Sequence, residues 1–291
     1  MYNFVKYIIY KFNYSNSYFM KNKLTSYLVL FAFAMITSIV FAQEESKEFV
    51  PMYTTVTTLH GVSGVDLNEW KATEQEFFDK VTSKINLLVA HEVLISNIKN
   101  DFSDIKVINV FKSWGDIQKI NTIRGDLIAI AWPDEEERKL FFEKQNSFYT
   151  NFHSDEIYTS TKFGFPVEDD VKKSQKRSFT YFVQTSTLSD DNGKDSYSDY
   201  IKYVKNVFHK NSLIKGYYPL RHLWGSDSRD FVEVFVVNST EDIKNVIENN
   251  RVLLKELVPN DEKRKGFLEV YEKGILNRSN AIYVNVPSLS K

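Results

Sequence analysis

The chain contains no cysteine, which excludes disulfides, thiolate metal sites and a cysteine nucleophile. Histidine is scarce as well: His60, His91, His153, His209 and His222 are the only five in 291 residues. Their dispersal argues against a dedicated metal enzyme, and no HExxH helix, nucleophile elbow or Cys/His set is present. The glycine pair in His60-Gly61-Val62-Ser63-Gly64 has neither dinucleotide-fold nor P-loop spacing, so it reads as a turn leading to a helix start at Asp66. Excess positive charge is missing too. The formal charge is −1, and the first 42 residues hold four lysines and no acid, so the remainder carries −5. A nucleic-acid partner needs a basic footprint, and that is excluded.

Long apolar runs are confined to one place. From Met20 the sequence is KNKLTSYLVLFAFAMITSIVFAQEE: Lys21 and Lys23, then an apolar stretch from Tyr27 to Phe41, then a small residue at Ala42. That is the plan of a secretory signal peptide spanning 20–42, and it predicts cleavage after Ala42 and export to the periplasm or medium. The run is short for a spanning helix, so no stable membrane insertion is expected after cleavage; an uncleaved N-terminal anchor is the alternative. Residues 1–19 read as an upstream extension, with Met20 as the initiator. No cysteine follows the run to carry a lipid anchor.

What the rest of the chain has in abundance is self-similarity. PDEEERKLFFE (Pro133 to Glu143) returns as PNDEKRKGFLE (Pro259 to Glu269), 126 residues later. The same offset aligns Val110 with Val236, Ser113 with Ser239, Asp116-Ile117 with Asp242-Ile243, and Leu127 with Leu253. A tandem duplication explains this: a first unit over 49–165, a charged linker over 166–177 and a second unit over 178–287.

Each copy repeats one order of signals. A β-branched, aromatic-rich strand (Tyr53 to His60; Phe179 to Ser186) precedes an amphipathic helix marked by Trp70, Phe77, Phe78 and Val81, or by Tyr197, Tyr200, Ile201 and Val204. Two strands follow around polar turns, at Asn97 to Asp104 and Gly225 to Asp230. Ser113 or Ser239 caps a second helix that must break before the proline. Asp134 or Asn260 starts a third, with Phe141 and Phe267 as its core anchors. A last strand closes the unit, EIYTSTKF or AIYVNV.

The order β-α-β-β-α-β, with its second helix broken, is an α+β, ferredoxin-like unit. With two such units in tandem, the chain resembles the dimeric α/β-barrel superfamily, in which two units pair their antiparallel sheets into one barrel. The resemblance implies an intramolecular barrel, hence a monomer, with pockets between sheet and helices. It also implies a range of activities: aromatic monooxygenases, haem-degrading and haem-dependent enzymes, dehydratases and ligand-binding proteins. None of their motifs is present residue for residue, so no catalytic residue is carried over.

Two local clusters are candidates for chemistry. In HSDE, His153 is a potential general base with Asp155 or Glu156 to orient it; on a strand, His153 and Asp155 share one face and Glu156 takes the other. The same four residues also suit a polar turn between helix and strand. In PLRHLWG, alternation puts His222 and Trp224 on one face and Arg221 on the other, a ligand-binding or haem-coordinating pair unless His222 is simply a buried histidine bound to a carbonyl. DDNGKD (Asp190 to Asp195) lacks a calcium loop's terminal glutamate and reads as a turn. The expected function is binding of a small apolar or aromatic molecule, cofactor unknown and no metal. The alternatives are a cofactor-independent oxygenase or isomerase, a haem-linked enzyme, or a structural envelope protein.

Overall fold

A computed structural model describes residues 49–96, 102–168, 178–189, 194–225 and 227–291. The chain divides into Met1–Val50 and Pro51–Lys291, and all the strands and helices described lie in the second. The segment expected to be a signal peptide, most of the linker and most of DDNGKD lie outside the described residues.

Among the described residues eight strands and six α-helices follow in order: β1 (Tyr53–Gly61), α1 (Leu67–Lys80), β2 (Leu88–Ser96), β3 (Ile105–Phe111), α2 (Trp114–Ala131), α3 (Glu135–Asn146), β4 (Tyr149–Ser160), β5 (Thr180–Leu188), α4 (Lys194–Tyr203), β6 (Gly216–Trp224), β7 (Asp230–Val237), α5 (Asp242–Leu257), α6 (Asp261–Lys273) and β8 (Ile275–Asn285). The strands close a barrel in the order β1-β3-β2-β8-β5-β7-β6-β4, every pair antiparallel. Each copy supplies four consecutive strands, and the seams are β2–β8 and β4–β6. Closure removes the free sheet edges that a lone four-stranded unit would expose.

The seams are short and alike. Leu94 to Ser96 pair with Asn285 to Tyr283, and Ile157 to Ser160 pair with Trp224 to Leu220. Beyond each, the segment leaving a copy continues along the other copy. Phe165 and Tyr217 exchange two backbone hydrogen bonds of 2.8 Å, and Lys291 and His91 exchange two of 2.9 and 3.1 Å. These two pairs are related by the 126-residue offset, so the duplication survives in three dimensions down to individual hydrogen bonds.

The pleat sorts the side chains. Tyr158, Tyr181, Tyr283, Leu94, Leu220 and Val232, Val234 and Val236 fill the barrel interior, each fully buried aliphatic contributing about 1.5–3 kcal/mol. The opposite face of each half-sheet packs under its own helices.

The repeated stretch is an elbow between helices. Asp134 and Asn260 accept from the backbone N–H of Glu137 and Lys263, each at 2.9 Å, capping α3 and α6. Arg138 and Arg264 then reach back from Nη1 to the carbonyls of Trp132 and Val258, both at 3.0 Å, and so tie off the ends of α2 and α5. Arginine suits this place because its fork satisfies a helix-terminal carbonyl that has no intrahelical partner.

One boundary differs from the sequence reading. β4 begins at Tyr149, so HSDE lies within a strand and not in the turn before it. β1 runs out to Gly61 and offers β4 a partner throughout, with Leu59 opposite His153 and Thr57 opposite Asp155. The stretch is polar because β6 stops at Trp224, opposite Ile157, leaving residues 150–155 exposed.

Candidate functional site

Copy one holds a cavity of about 310 Å³ between the outer face of its half-sheet and its helices. Outward-facing strand positions form the floor: Thr57 and Leu59 of β1, His91 and Val93 of β2, Val107 and Asn109 of β3, Tyr149 of β4. Phe77, Phe78 and Glu74 of α1 and Arg124 of α2 close it from above. Aromatic and aliphatic walls with a few polar groups are the usual make-up of a small-molecule site.

The polar groups are of two kinds. On one side a chain of hydrogen bonds is complete: Trp70 Nε1 donates to Tyr149 Oη (2.7 Å), Tyr149 donates to Glu74 Oε1 (2.7 Å), and Gln145 Nε2 donates to the same carboxylate at 3.1 and 3.2 Å. Burial pushes the Glu74 carboxyl up despite the donors from Tyr149 and Gln145, and burial followed by the Glu74 charge pushes the Tyr149 phenol up.

On the other side two groups, the Nε2 of His91 and the guanidinium of Arg124, have no hydrogen-bond partner in the protein among the described residues. His91 is 7% exposed and its Nδ1 lies 2.7 Å from Asn109 Oδ1; with the amide oxygen as acceptor the ring proton sits on Nδ1 and the Nε2 lone pair is left to the cavity. Burial first, then the Arg124 and Lys291 charges, hold His91 below the usual histidine range, so it is neutral at pH 7. Arg124 also lines the cavity, half-buried, and no hydrogen bond or ion pair reaches its guanidinium among the described residues.

In copy two the positions equivalent to this cavity are filled, and the reason is substitution. His91 and Asn109 become Tyr217 and Phe235, again directly opposed across the strands. Thr82 becomes Phe208, carried inward by a π-helical turn over Val204–Phe208 that follows α4; its ring centroid lies 5.1 Å from that of Tyr217 and 5.0 Å from that of Phe235. Glu74 becomes Tyr200, whose hydroxyl is 2.8 Å from Tyr217 Oη, and Tyr217 in turn donates to the fully buried Glu233. Arg124 becomes Asn250, whose Oδ1 accepts from Asn211 Nδ2 at 2.7 Å. The space is occupied and its polar groups are paired.

The residues singled out from sequence fall elsewhere. His153 Nε2 and Asp155 Oδ2 stand 3.3 Å apart on the outer face of β4, both more than half exposed, and Asp155 accepts from Thr57 Oγ1 at 2.7 Å. Arg221 and Trp224 are exposed on β6, Trp224 by 67%. Glu156 and His222, drawn from the two separate clusters, meet across the β4–β6 seam: His222 Nε2 is 2.9 Å from Glu156 Oε2, with side chains 3% and 15% exposed. Gly225 covers them at φ +135, where a β-carbon would stand 1.8 Å from Glu156 Oε2. His222 therefore cannot serve haem, since its Nε2 is committed and its Nδ1 is buried. Among the described residues no cluster of three or more His, Asp or Glu is arranged to hold a metal.

Glu74, His91, Arg124 and Tyr149 were not recognised from sequence as a set. The signal that could have found them is the repeat itself, since the 126-residue offset pairs Glu74, Thr82, His91, Asn109 and Arg124 with Tyr200, Phe208, Tyr217, Phe235 and Asn250.

The architecture has counterparts among solved structures. A candidate monooxygenase from Fusobacterium nucleatum subsp. nucleatum superposes with a TM-score of 0.52 at 8% identity, over 82% of this chain and 93% of that one. This chain folds as two ferredoxin-like units closed into one α/β barrel. An anthrone oxidase-like protein gives 0.48 at 10% identity, over 82% and 92%, and chlorite dismutase from Candidatus Nitrospira defluvii gives 0.47 at 10%, over 81% and 92%. No family model and no curated protein matches this α/β barrel in sequence. At such identities the likeness is one of fold.

Proposed function

We propose that this α/β barrel binds a small aromatic molecule in the cavity of copy one, and that copy two serves to complete the barrel. The observation that carries this reading is the contrast between the copies: the same sheet–helix interval is plugged by Phe208, Tyr217 and Phe235 in one and open in the other. Filling a cavity stabilises a fold, and leaving one open costs stability unless something occupies it. The walls supplied by Phe77, Phe78, Leu59 and Val93 suit a flat apolar body.

Writing the copy-two pair into copy one tests the proposal. The double variant His91→Tyr, Asn109→Phe is expected to keep the fold by circular dichroism and to lose the ligand that wild-type protein carries in native mass spectrometry or gains from an aromatic fragment panel. If wild type binds nothing in that panel and co-purifies with nothing, the structural reading replaces this one. If the ligand is consumed on incubation, the protein is an enzyme of the cofactor-independent type, a reading that the available Nε2 of His91 favours.

Two further parts of the proposal rest on sequence. Lys21, Lys23 and the apolar run to Phe41 support export, which N-terminal sequencing of the mature protein from its native host tests by whether Gln43 comes first. Barrel closure within one chain supports a monomer, and light scattering that gives a tight dimer would refute it.

A further inference from the structure

The two groups of the cavity that lack a protein partner define more than its apolar walls do. A guanidinium taken partly out of water without a partner is costly, and the cost is removed by an anion. Arg124 has no such partner among the described residues, whereas its counterpart Asn250 is neutral and hydrogen-bonded. The carboxylate that lines the same cavity, Glu74, is already bound by Tyr149 and Gln145. An imidazole nitrogen that turns its lone pair into the cavity has the opposite need, a hydrogen-bond donor. Asn109 fixes that lone pair on Nε2 by accepting a hydrogen bond from Nδ1–H, and nothing in the protein among the described residues donates to it.

We propose that the copy-one cavity is selective for an aromatic hydroxy acid, its carboxylate paired with Arg124 and its ring hydroxyl donating to His91 Nε2. The inference rests on the reading of this cavity as an aromatic site and narrows it to one ligand chemistry. Arginine matches a carboxylate with two parallel N–H donors, so the pair fixes orientation as well as charge. The hydroxyl at the other end gives His91 the donor it lacks, and the ring lies between Phe78 and the aliphatic floor.

The test is a set of small probes against the full chain: 3- and 4-hydroxybenzoate, benzoate and phenol, by isothermal titration. One of the hydroxybenzoates is expected to bind at least ~10-fold more tightly than both benzoate, which lacks the donor, and phenol, which lacks the charge. Arg124→Gln is expected to lose that hydroxybenzoate by ~10- to 100-fold while leaving phenol unchanged. His91→Phe is expected to erase the preference for hydroxybenzoate over benzoate. Phenol binding as tightly as the hydroxybenzoates, or Arg124→Gln binding them undiminished, overturns the inference and leaves the aromatic site standing. Silence from every probe, together with an empty aromatic panel, brings down both.

Discussion

His91 and Tyr217 stand at one and the same place in the two copies, each with its backbone bonded to the segment leaving the other copy, Lys291 in one case and Phe165 in the other. Across the strand one faces Asn109 and the other Phe235. The backbone has been kept through duplication while the side chains have diverged, one toward a cavity and the other toward a plug.

That divergence separates stability from binding. Tyr217→Phe removes the donor to buried Glu233 and a partner of Tyr200, and is expected to cost about 1–3 kcal/mol by chemical denaturation. Ligand binding in copy one should be unaffected. A loss of ligand without a loss of stability would place the site in the wrong copy.

His91 gives acid sensitivity. Its folded pKa lies below the ordinary 6.5 because of burial and then the Arg124 and Lys291 charges, so the unfolded chain takes up the proton first. The stability it contributes is present above 6.5 and is lost as pH falls through that value, with a slope of at most about 1.4 kcal/mol per pH unit. Glu74 and Glu233 have raised pKa values, so their contributions run the other way, lost as pH rises above 4.5. The comparison to make is therefore wild type against His91→Gln between pH 7 and 5; the variant should lose less stability over that interval. Parallel curves would show that the imidazole is not desolvated.

Gly225 tolerates no side chain. Its φ of +135 disfavours any other residue, and a β-carbon would collide with the Glu156 carboxylate. Gly225→Ala is expected to cost about 1–3 kcal/mol and to break the Glu156–His222 pair. An imidazole resonance of His222 unchanged in the variant would show that the strand end relaxes instead.

The elbow arginines should act independently. Arg138→Met and Arg264→Met each free a helix-end carbonyl, for about 1–2 kcal/mol apiece. Their effects should add in the double variant, because the two share no partner. A marked shortfall from additivity would mean that the copies fold as one coupled unit at this point.

Much of this architecture could be read in the chain. The 126-residue offset, the caps at Ser113, Asp134 and Asn260, and the alternating strands fix the element order, because each depends on neighbours within a few residues. The interior face of β4 was legible for the same reason: period two puts Glu156 and Tyr158 together, away from His153 and Asp155. What the sequence could not reveal was which faces meet. Glu156 and His222 lie 66 residues apart and pair only because the barrel closes at the β4–β6 seam. Glu74, His91 and Arg124 come from a helix, a strand and another helix, and none is unusual in its local pattern. Only the packing of α1 and α2 over the sheet gathers them, and only the absence of bulk at Thr82 and Asn109 leaves them a cavity to face. Local rules set the parts of this protein; long-range packing decided which copy kept an open site.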